Sequence, residues 1–303
     1  MNVRFDIIIV SFNAGHKLAE TLASVLTQEG VGDGMDYRVI VKDADSADDS
    51  VEEARRLLAT YPAPIQNRVE ILTGRDEGIY DAMNRALDAC YGAPGHSGVR
   101  IPEEEVRLVY FINCGDTLAE TDILQSVADG VRADSQRTGR DESRPLIFYG
   151  DVIECRTGER VSENPRIDDF ALYRHVPCHQ ACFYDAALFL RERFDTSLRV
   201  RADYEHFLKS CYNYHARCVY LPVAIARYEG GGFSETAENR RLSAAEHRIV
   251  LKRYMDEEMI RRFDRRMKLT LQPVRTFLAE HKKTAGVYNG IRRTLYRFRK
   301  RET

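Results

Sequence analysis

The sequence predicts an α/β fold, with a mixed and mainly parallel sheet and a helical extension at the C-terminal end. Two observations carry this prediction. Short apolar runs without polar alternation, typical of strands buried on both faces of a parallel sheet, alternate with segments of helical periodicity. From Glu238 to Phe263 the chain is instead charged and helical in pattern. We therefore expect one domain over residues 1–235 and an extension over residues 236–303.

The first two predicted strands and the helix between them form a βαβ unit. The run Ile7 to Val10 is the first strand, and Tyr37 to Val41 is the second. Between them, apolar residues recur at helical spacing from Lys17 to Gln28, as expected for a crossover helix that joins parallel strands. Polar turns follow the two strands, at Ser11-Phe12-Asn13 and at Asp43-Ala44-Asp45-Ser46.

The alternation continues through two more helices and two more strands. Ser50 and Glu53 predict a capping box at the start of the second helix. Val69 to Leu72 is the third strand, and a helix with one apolar face follows from Ile79 to Cys90. Leu108 to Ile112 is the fourth strand, which ends at a polar turn.

The second half of the predicted domain is less regular. Strands are expected at Leu146 to Tyr149, Ala181 to Tyr184 and Arg217 to Leu221, with a helix around Tyr204 to Tyr212. A run of three glycines then begins at Gly230. Glycine lacks a Cβ, so this loop can move or approach a ligand closely.

Composition excludes several classes of protein. The chain of 303 residues is 44% apolar and 30% charged with a net charge of −2, which excludes disorder as its main state. Seven cysteines, an odd number in a chain too large to need disulfides, predict free thiols in a reducing compartment. The N-terminal apolar run is too short for a signal peptide, and no other stretch approaches membrane-spanning length. We therefore expect a cytoplasmic protein whose contact with a membrane, if any, is peripheral.

A basic amphipathic helix is predicted near the C-terminal end. From His281 to Arg301 there are eight Lys or Arg residues and no acid. Apolar residues recur in this segment at helical spacing, at Val287, Ile291, Leu295 and Phe298. Such a helix binds the inner face of an anionic membrane or packs on a partner subunit in an oligomer, and the combination favours the membrane. No aromatic-basic platform accompanies the charge, which argues against nucleic acid as a partner.

Acidic side chains follow three of the predicted strands. Asp43 comes after the second strand, Asp76 after the third and Asp116 after the fourth. The carboxyl ends of parallel strands meet at one edge of a sheet, where α/β folds bind ligands, so we expect these carboxylates to lie together. Carboxylates beside an anionic ligand need a cation, and their hard oxygens suit Mg²⁺ or Mn²⁺. Asp116, in a tight turn after a buried strand, is the candidate metal ligand, with an ordinary turn aspartate as the alternative.

Other polar residues have two interpretations each. Asp43 and Asp76 either accept hydrogen bonds from a nucleotide base or ribose, or are loop acids and caps. Asp203, at the start of a predicted helix, is either a general base or a helix N-cap. A zinc site is a weaker alternative, because the spacing of the His and Cys residues of the second half matches no common closed site. These residues are His175, Cys178, His179, Cys182, Cys211, His215 and Cys218.

The most specific motif in the chain is Asp76-Glu77-Gly78-Ile79-Tyr80-Asp81-Ala82-Met83-Asn84. With the opening run Ile7 to Asn13, the segment Val39 to Ser46 and the segment Tyr110 to Asp116, it resembles the family 2 glycosyltransferases of GT-A fold. The resemblance is greatest to the branch that builds bacterial capsule, exopolysaccharide and O-antigen chains, and it extends from about Asp6 to Phe233.

The resemblance implies a Rossmann-like nucleotide-binding domain with a donor half over residues 1–118 and an acceptor half over residues 119–235. It implies nucleotide contacts from Ser11, Asn13, Asp43, Asp76 and Asn113. It implies a divalent metal ion on Asp116, and Asp203 as the catalytic base. It implies substrate or acceptor contacts from Asp151, His179, Gln180 and Glu205, with a core-facing histidine as the alternative for His179. The segment Gly230 to Ser234 is similar to the family's loop that closes over the bound donor.

The implied reaction is a single inverting displacement. Asp203 takes the proton of an acceptor hydroxyl, whose oxygen attacks the anomeric carbon of a nucleotide-diphosphate sugar, with a UDP-sugar as the expected donor. The acceptor would be a saccharide or a lipid-linked molecule. One departure weakens the metal site, because Asn113 and Gly115 stand where many members carry aspartates. This leaves a degenerate, non-catalytic binding protein as an alternative; a nucleotidyltransferase is a weaker one, because Ser11 to His16 lacks a Gly-rich basic loop.

Overall fold

The structure, a computed structural model, describes residues 1–32, 34–95, 98–139, 141, 144–230 and 236–269. It divides into two compact units, Met1–Val250 and the residues from Leu251 onward. The strands are β1 (Asn2–Ser11), β2 (Met35–Asp43), β3 (Val69–Thr73), β4 (Glu105–Asn113), β5 (Thr117–Leu118), β6 (Leu146–Glu154), β7 (Arg160–Val161), β8 (Cys182–Asp185) and β9 (Arg217–Tyr228).

Ten α-helices lie within the described residues, and a short 3₁₀ turn, His179–Ala181, precedes β8. The helices are α1 (Lys17–Leu26), α2 (Ser50–Leu58), α3 (Ala63–Gln66), α4 (Ile79–Tyr91), α5 (Ile123–Thr138), α6 (Asp169–Arg174), α7 (Ala186–Arg191), α8 (Ala202–Tyr212), α9 (Ala237–Tyr254) and α10 (Glu257–Leu269). Among them, no described helix combines the length and the apolar character needed to cross a membrane.

All nine described strands belong to one mixed sheet, in the order β3-β2-β1-β4-β8-β6-β9-β5, with β7 paired to β6. The first four strands in this order are parallel, as predicted, while β8 is antiparallel to both of its neighbours. The strand order reverses at β1, which pairs with β2 on one side and β4 on the other. In α/β sheets the crevice at such a reversal is where ligands bind.

The core explains why the four parallel strands could be predicted. Ile7 and Ile9 on β1 and Val39 and Val41 on β2 are fully buried, so these strands carry no polar alternation. Helix α1 packs its apolar stripe, which includes Leu18, against the same core. The central strands β1 and β4 are thus buried on both faces for most of their length, and their carboxyl ends remain for ligands.

The predicted capping box at the second helix is wrong. Ser50 is the first residue of α2 rather than its cap, and its hydroxyl donates to Asp48 Oδ1 at 2.5 Å. Asp49 occupies the cap position without a side-chain hydrogen bond to the helix. The serine hydroxyl is therefore engaged by Asp48 instead of capping the helix, since Ser and Asp side chains commonly form local hydrogen bonds in turns.

The expected C-terminal extension is helical in its described part. Helix α9 begins at Ala237, and its residues up to Val250 belong to the first unit. Helix α10 is amphipathic and buries Ile260 and Phe263. The predicted basic helix over residues 281–301 and the glycines Gly231 and Gly232 lie outside the described residues.

Candidate active site

The candidate site lies at the carboxyl ends of β1, β2 and β4. In the parallel register, Ser11 is opposite Asp43 and Val10 is opposite Asn113. The structure therefore places three of the predicted nucleotide-binding residues, Ser11, Asp43 and Asn113, on adjacent strand ends. The Oδ1 atom of Asn113 is buried and has no hydrogen-bond partner among the described residues. An orphaned buried oxygen at a strand end is a group that a ligand can satisfy.

The two turns after β1 and β2 are tied together through Ser46. The Asp43 carboxylate accepts from the Ser46 N–H at 2.8 Å and from its hydroxyl at 2.6 Å. The same hydroxyl accepts from the Asn13 N–H at 2.8 Å, and Asn13 Oδ1 accepts from the Ala47 N–H at 3.0 Å. Asn13 and Asp45 adopt left-handed backbone conformations, with φ of 45° and 64°, which their side chains tolerate better than most. Both turns are therefore fixed before any ligand arrives.

Asp76 is held by a buried lysine that sequence reasoning missed. Lys42 Nζ lies 3.0 Å from Asp76 Oδ2, and both side chains are almost fully buried. The same ammonium group donates to the carbonyl oxygens of Asp43 at 2.7 Å and Gly74 at 2.5 Å. Lys42 thus joins the ends of β2 and β3 and neutralises one carboxylate near the edge. The available signal was a lysine that directly follows the apolar run Val39 to Val41 within the same strand.

Asp116 is a buried carboxylate in the turn after β4. It is 5% exposed, and its Oδ1 accepts from the Glu229 N–H at 2.9 Å. Burial raises its pKa to about 6; the Glu229 charge adds to the rise, and hydrogen bonds from the Glu229 N–H and the Gln180 side chain oppose it. The structure therefore brings the predicted metal ligand Asp116 next to the predicted contact Gln180. A carboxylate with these properties is stabilised by an additional cation.

A second carboxylate, Glu229, lies beside Asp116. Both of its oxygens contact Lys17 Nζ, at 2.8 and 2.7 Å, across 212 residues of sequence. A Cβ atom built at Gly115, whose φ is 97°, would lie 2.5 Å from Glu229 Oε2. The space that an aspartate would need at position 115 is thus occupied by the Glu229 side chain. Lys17 and Glu229 were both missed, because nothing local in the sequence connects them.

Asp203 lies in the first turn of α8, where Arg201 rather than Asp203 is the N-cap. Its Oδ1 accepts from the Tyr204 N–H at 2.8 Å and from the Tyr80 hydroxyl at 2.9 Å. Tyr80 belongs to the motif of residues 76–84 and lies in the first turn of α4. Burial raises the pKa of Tyr80 far above its ordinary value, with the neighbouring Asp203 charge adding to the effect, so the hydroxyl stays protonated and donates.

His179 and Gln180 form the 3₁₀ turn before β8. The His179 ring stacks on Phe111 with 5.1 Å between ring centroids, and its Nδ1 lies 3.4 Å from the Tyr184 hydroxyl. Burial lowers the pKa of His179, so the ring is neutral, although the nearby Asp203 charge opposes this effect. These contacts favour the core-facing alternative for His179. Its acceptor role stays a prediction.

Asp151 and Glu205, the remaining predicted substrate residues, are both buried among protein partners. The Asp151 carboxylate binds Arg160 Nε at 2.6 Å and accepts from the Glu163 N–H and the Tyr220 hydroxyl. Glu205 forms an ion pair with Lys209 at 3.1 Å. These contacts stabilise the fold around β6 and α8, and the acceptor contacts of both residues stay predictions.

Within the described ranges, no three His, Cys, Asp or Glu side chains come together as a closed metal site. The cysteines there are free thiols, and burial raises the pKa of Cys178 to about 12. The protein oxygens near Asp116 are therefore too few to fill the coordination sphere of a divalent cation by themselves. A cation at that position would need further ligands from a bound molecule, as Mg²⁺ commonly does.

Comparison with known proteins identifies the family. Residues 6–93 match the model of glycosyl transferase family 2. The chain is 30% identical over 235 residues to a PGL/p-HBAD biosynthesis glycosyltransferase of Mycobacterium tuberculosis, covering 77% of this chain and 79% of that protein. A PGL/p-HBAD biosynthesis glycosyltransferase of Mycobacterium bovis matches equally well.

Solved structures share the fold at lower identity. Staphylococcus aureus TarS 1–349 in complex with UDP superposes with a TM-score of 0.51 at 18% identity, covering 80% of this chain and 65% of that one. Mannosyltransferase PcManGT from Pyrobaculum calidifontis, in complex with GDP-Man and Mn²⁺, has a TM-score of 0.51 at 14% identity, covering 94% and 84%. The predicted GT-A fold is thereby confirmed. The chain belongs to the family 2 glycosyltransferases and is a glycosyltransferase of glycan biosynthesis.

Proposed function

We propose that the protein transfers a sugar from a UDP-sugar, with inversion, to a hydroxyl group of a saccharide or lipid-linked acceptor. The observation that carries this proposal is the hydrogen bond between Tyr80 and Asp203. It links the motif that begins at Asp76, beside the nucleotide-binding turns, to the carboxylate predicted as the base. Donor-binding and proton-accepting groups are thus held by one connected set of contacts.

The donor nucleotide would bind across the ends of β1, β2 and β4. Ser11, Asn13 and Asp43 lie in the two turns tied by Ser46, and Asp76 lies beside them on Lys42. Phe12, with 65% of its surface exposed, offers an apolar ring at the same turn. TarS is known in complexes with UDP and UDP-GlcNAc and PcManGT with GDP-Man, which supports a nucleotide-diphosphate sugar as the donor.

A divalent metal ion fits the residues at the end of β4. Asp116 would hold it, with the Glu229 carboxylate beside Asp116 and the orphaned Asn113 Oδ1 nearby on the same turn. These are hard oxygen donors, which Mn²⁺ and Mg²⁺ prefer. When bound, the ion would neutralise the charge on the departing diphosphate. Lys17, already paired with Glu229, adds a second positive charge at this position.

Asp203 would act as the general base. Its Oδ1 already accepts two hydrogen bonds, so the proton of the acceptor hydroxyl would go to Oδ2. The Tyr80 hydroxyl fixes the orientation of the carboxylate in the first turn of α8. A base held in this way acts without a search over side-chain rotamers, which is the advantage of a preorganised site.

The named relatives and the basic segment 281–301 bear on the acceptor and the cellular location. The mycobacterial relatives are named for PGL/p-HBAD biosynthesis, which supports a cell-surface glycan as the product. A cytoplasmic enzyme that reaches a lipid-linked acceptor through the basic segment 281–301 would fit this product. Cosedimentation with anionic liposomes that persists after deletion from residue 281 would contradict the membrane role of that segment.

The degenerate, non-catalytic alternative depended on the reduced number of acids in the segment Asn113 to Asp116. Glu229 argues against this alternative, because it supplies a second carboxylate beside Asp116. That carboxylate occupies the space that a side chain at position 115 would take. The nucleotidyltransferase alternative would need a basic phosphate loop after β1, and the residues there bind Ser46 and Asp48 instead. Glycosyl transfer therefore remains the function that the geometry supports best.

The test is calorimetric titration with UDP, GDP and dTDP, each with and without Mn²⁺, on the wild type and on Asp116→Ala. We expect UDP to bind in a Mn²⁺-dependent manner and the variant to lose that dependence. Preference for GDP or dTDP would correct the donor nucleotide alone. Absence of binding by all three would contradict the proposed function and favour the non-catalytic alternative.

A further inference from the structure

The segment before Asp203 is anchored from the side of helix α9. The Glu246 carboxylate accepts hydrogen bonds from three consecutive main-chain N–H groups, those of Arg199 at 2.8 Å, Val200 at 2.9 Å and Arg201 at 2.9 Å. Glu246 is only 4% exposed. One side chain thus accepts hydrogen bonds from three consecutive main-chain N–H groups in a segment that belongs to no helix or strand.

These contacts matter because the segment has no secondary structure to satisfy it. The hydrogen bond from the Val200 N–H is buried, and those from Arg199 and Arg201 are partly buried. N–H groups shielded from water need an acceptor, so loss of the Glu246 carboxylate should destabilise this segment. Ser243, one turn earlier on α9, adds to the anchor by accepting from Arg201 Nε at 2.8 Å. The start of α8 is therefore positioned by α9 rather than by its own cap.

The opposite side of the same segment is held by Tyr80. Its hydroxyl lies 2.8 Å from the Val200 carbonyl oxygen and 2.9 Å from Asp203 Oδ1. The segment is thus fixed through its N–H groups by Glu246 and through its carbonyl side by Tyr80. Asp203 follows Arg201 by two residues, so displacement of this segment displaces the carboxylate.

We propose that Glu246 is a positioning residue for the glycosyl-transfer reaction, which fixes the Asp203 carboxylate relative to the acceptor hydroxyl. This inference rests on the proposed role of Asp203 as the base. Misplacement of a reacting group by about 1 Å can lower a rate about 100-fold. The donor contacts lie on other elements, β1, β2 and β4, so they should be insensitive to Glu246.

The test compares Glu246→Ala and Glu246→Gln with the wild type. We expect Glu246→Ala to lower kcat by about 10- to 100-fold while the KM for the donor changes by less than about two-fold. Glu246→Gln should be intermediate, because its amide keeps one oxygen that can accept from the segment. All rates are measured well below the unfolding temperature of each variant.

The matched control is Asp134→Asn. Asp134 is also 4% exposed, and its carboxylate also accepts hydrogen bonds from a residue distant in sequence, two of them from Arg217. It lies on α5, outside the candidate site, so its loss should lower stability and leave kcat unchanged. Equal losses of kcat in Asp134→Asn and Glu246→Ala would overturn the inference, as would wild-type kcat in Glu246→Ala.

Hydrogen exchange supplies a readout that is independent of turnover. Peptides covering residues 199–204 should exchange faster in Glu246→Ala, or in Glu246→Gln if the alanine variant does not fold, and not in Asp134→Asn. Unchanged exchange there would overturn the inference. Failure of the proposed function gives a different pattern, in which the wild type turns over no faster than Asp203→Asn.

Discussion

The hydroxyl of Tyr80 lies 2.9 Å from Oδ1 of Asp203, although the two residues are 123 positions apart in the sequence. Tyr80 lies in the first turn of α4, shortly after the acidic turn at Asp76, and Asp203 lies in the first turn of α8 in the second half of the domain. A single hydrogen bond therefore couples the proposed donor edge to the proposed base. Its removal should affect catalysis more than folding.

Tyr80→Phe removes the hydroxyl, with its contacts to Asp203 and to the Val200 carbonyl oxygen, and keeps the ring. We expect kcat to fall about 10-fold, because a hydrogen bond to a charged group contributes about 1.5 to 3 kcal/mol and its loss frees the Asp203 side chain. Nucleotide binding should not change. Tyr91→Phe is the control, since Tyr91 lies on the same helix and also binds a buried aspartate, Asp6, away from the strand ends. Equal effects of the two variants on kcat would contradict the role of Tyr80.

Glu229→Gln tests the second carboxylate at the end of β4. We expect Mn²⁺-dependent nucleotide binding, measured by calorimetry, to weaken about 10-fold, because an amide oxygen is a poorer ligand for a divalent cation than a carboxylate. Glu120→Gln is the control, since Glu120 is exposed and pairs with Arg227. Wild-type Mn²⁺ dependence in Glu229→Gln would show that Asp116 acts without it.

Gly115→Ala tests whether Glu229 occupies the space beside Asp116. Gly158→Ala is the control, because its φ of 66° is also positive but no atom lies within 4 Å of the added Cβ. Both variants should lose about 1 kcal/mol of unfolding free energy in urea titrations, from backbone strain. Only Gly115→Ala should also weaken Mn²⁺-dependent nucleotide binding, since it displaces the Glu229 carboxylate. Retention of that binding would contradict the arrangement.

The stability of the fold should depend on pH through His206. Burial, with a contribution from the nearby Lys209, lowers the pKa of His206 to about 3, and the ring stacks on Phe189 with 4.4 Å between centroids. The unfolded chain binds a proton near pH 6.5 and the folded chain does not. Stability from this group is therefore complete above pH 6.5 and is lost as pH falls towards 3.

His206→Phe keeps an aromatic ring and removes the titration. Relative to the variant, the wild type should lose about 1.4 kcal/mol of unfolding free energy for each pH unit below 6.5. Urea unfolding at pH 7.5, 6.5 and 5.5 measures this difference. The readout is its slope with pH, which a change in packing does not alter, and a flat difference would contradict a buried neutral histidine.

The parallel half of the sheet could be predicted from the sequence because its strands are buried on both faces. Runs such as Ile7 to Val10 then carry a strong local pattern. Strands β5 and β7 have two residues each, and both residues of β7 are exposed, so neither leaves such a pattern. In the irregular second half, β9 extends to Tyr228 although its predicted strand ended at Leu221, and helix α5 was not predicted although it buries one apolar face.

The residues that share the strand ends could be predicted, whereas their partners could not. Asp43 is the last residue of β2, and Asp76 and Asp116 follow β3 and β4, so the parallel sheet alone places them at the same edge. The pairing of Lys17 with Glu229 joins residues 212 positions apart, and no periodicity or spacing connects them. The contacts of Glu246 with Arg199 to Arg201 have the same character, since they depend on how α9 packs against the domain.

The most direct test of the account is the turnover of Asp203→Asn with the donor whose nucleotide binds. The amide keeps the shape of the side chain and its hydrogen bond from Tyr80 but cannot take the proton. We expect kcat to fall by about 10²- to 10⁴-fold with nucleotide affinity unchanged. Turnover close to that of the wild type would contradict the assignment of Asp203 as the base.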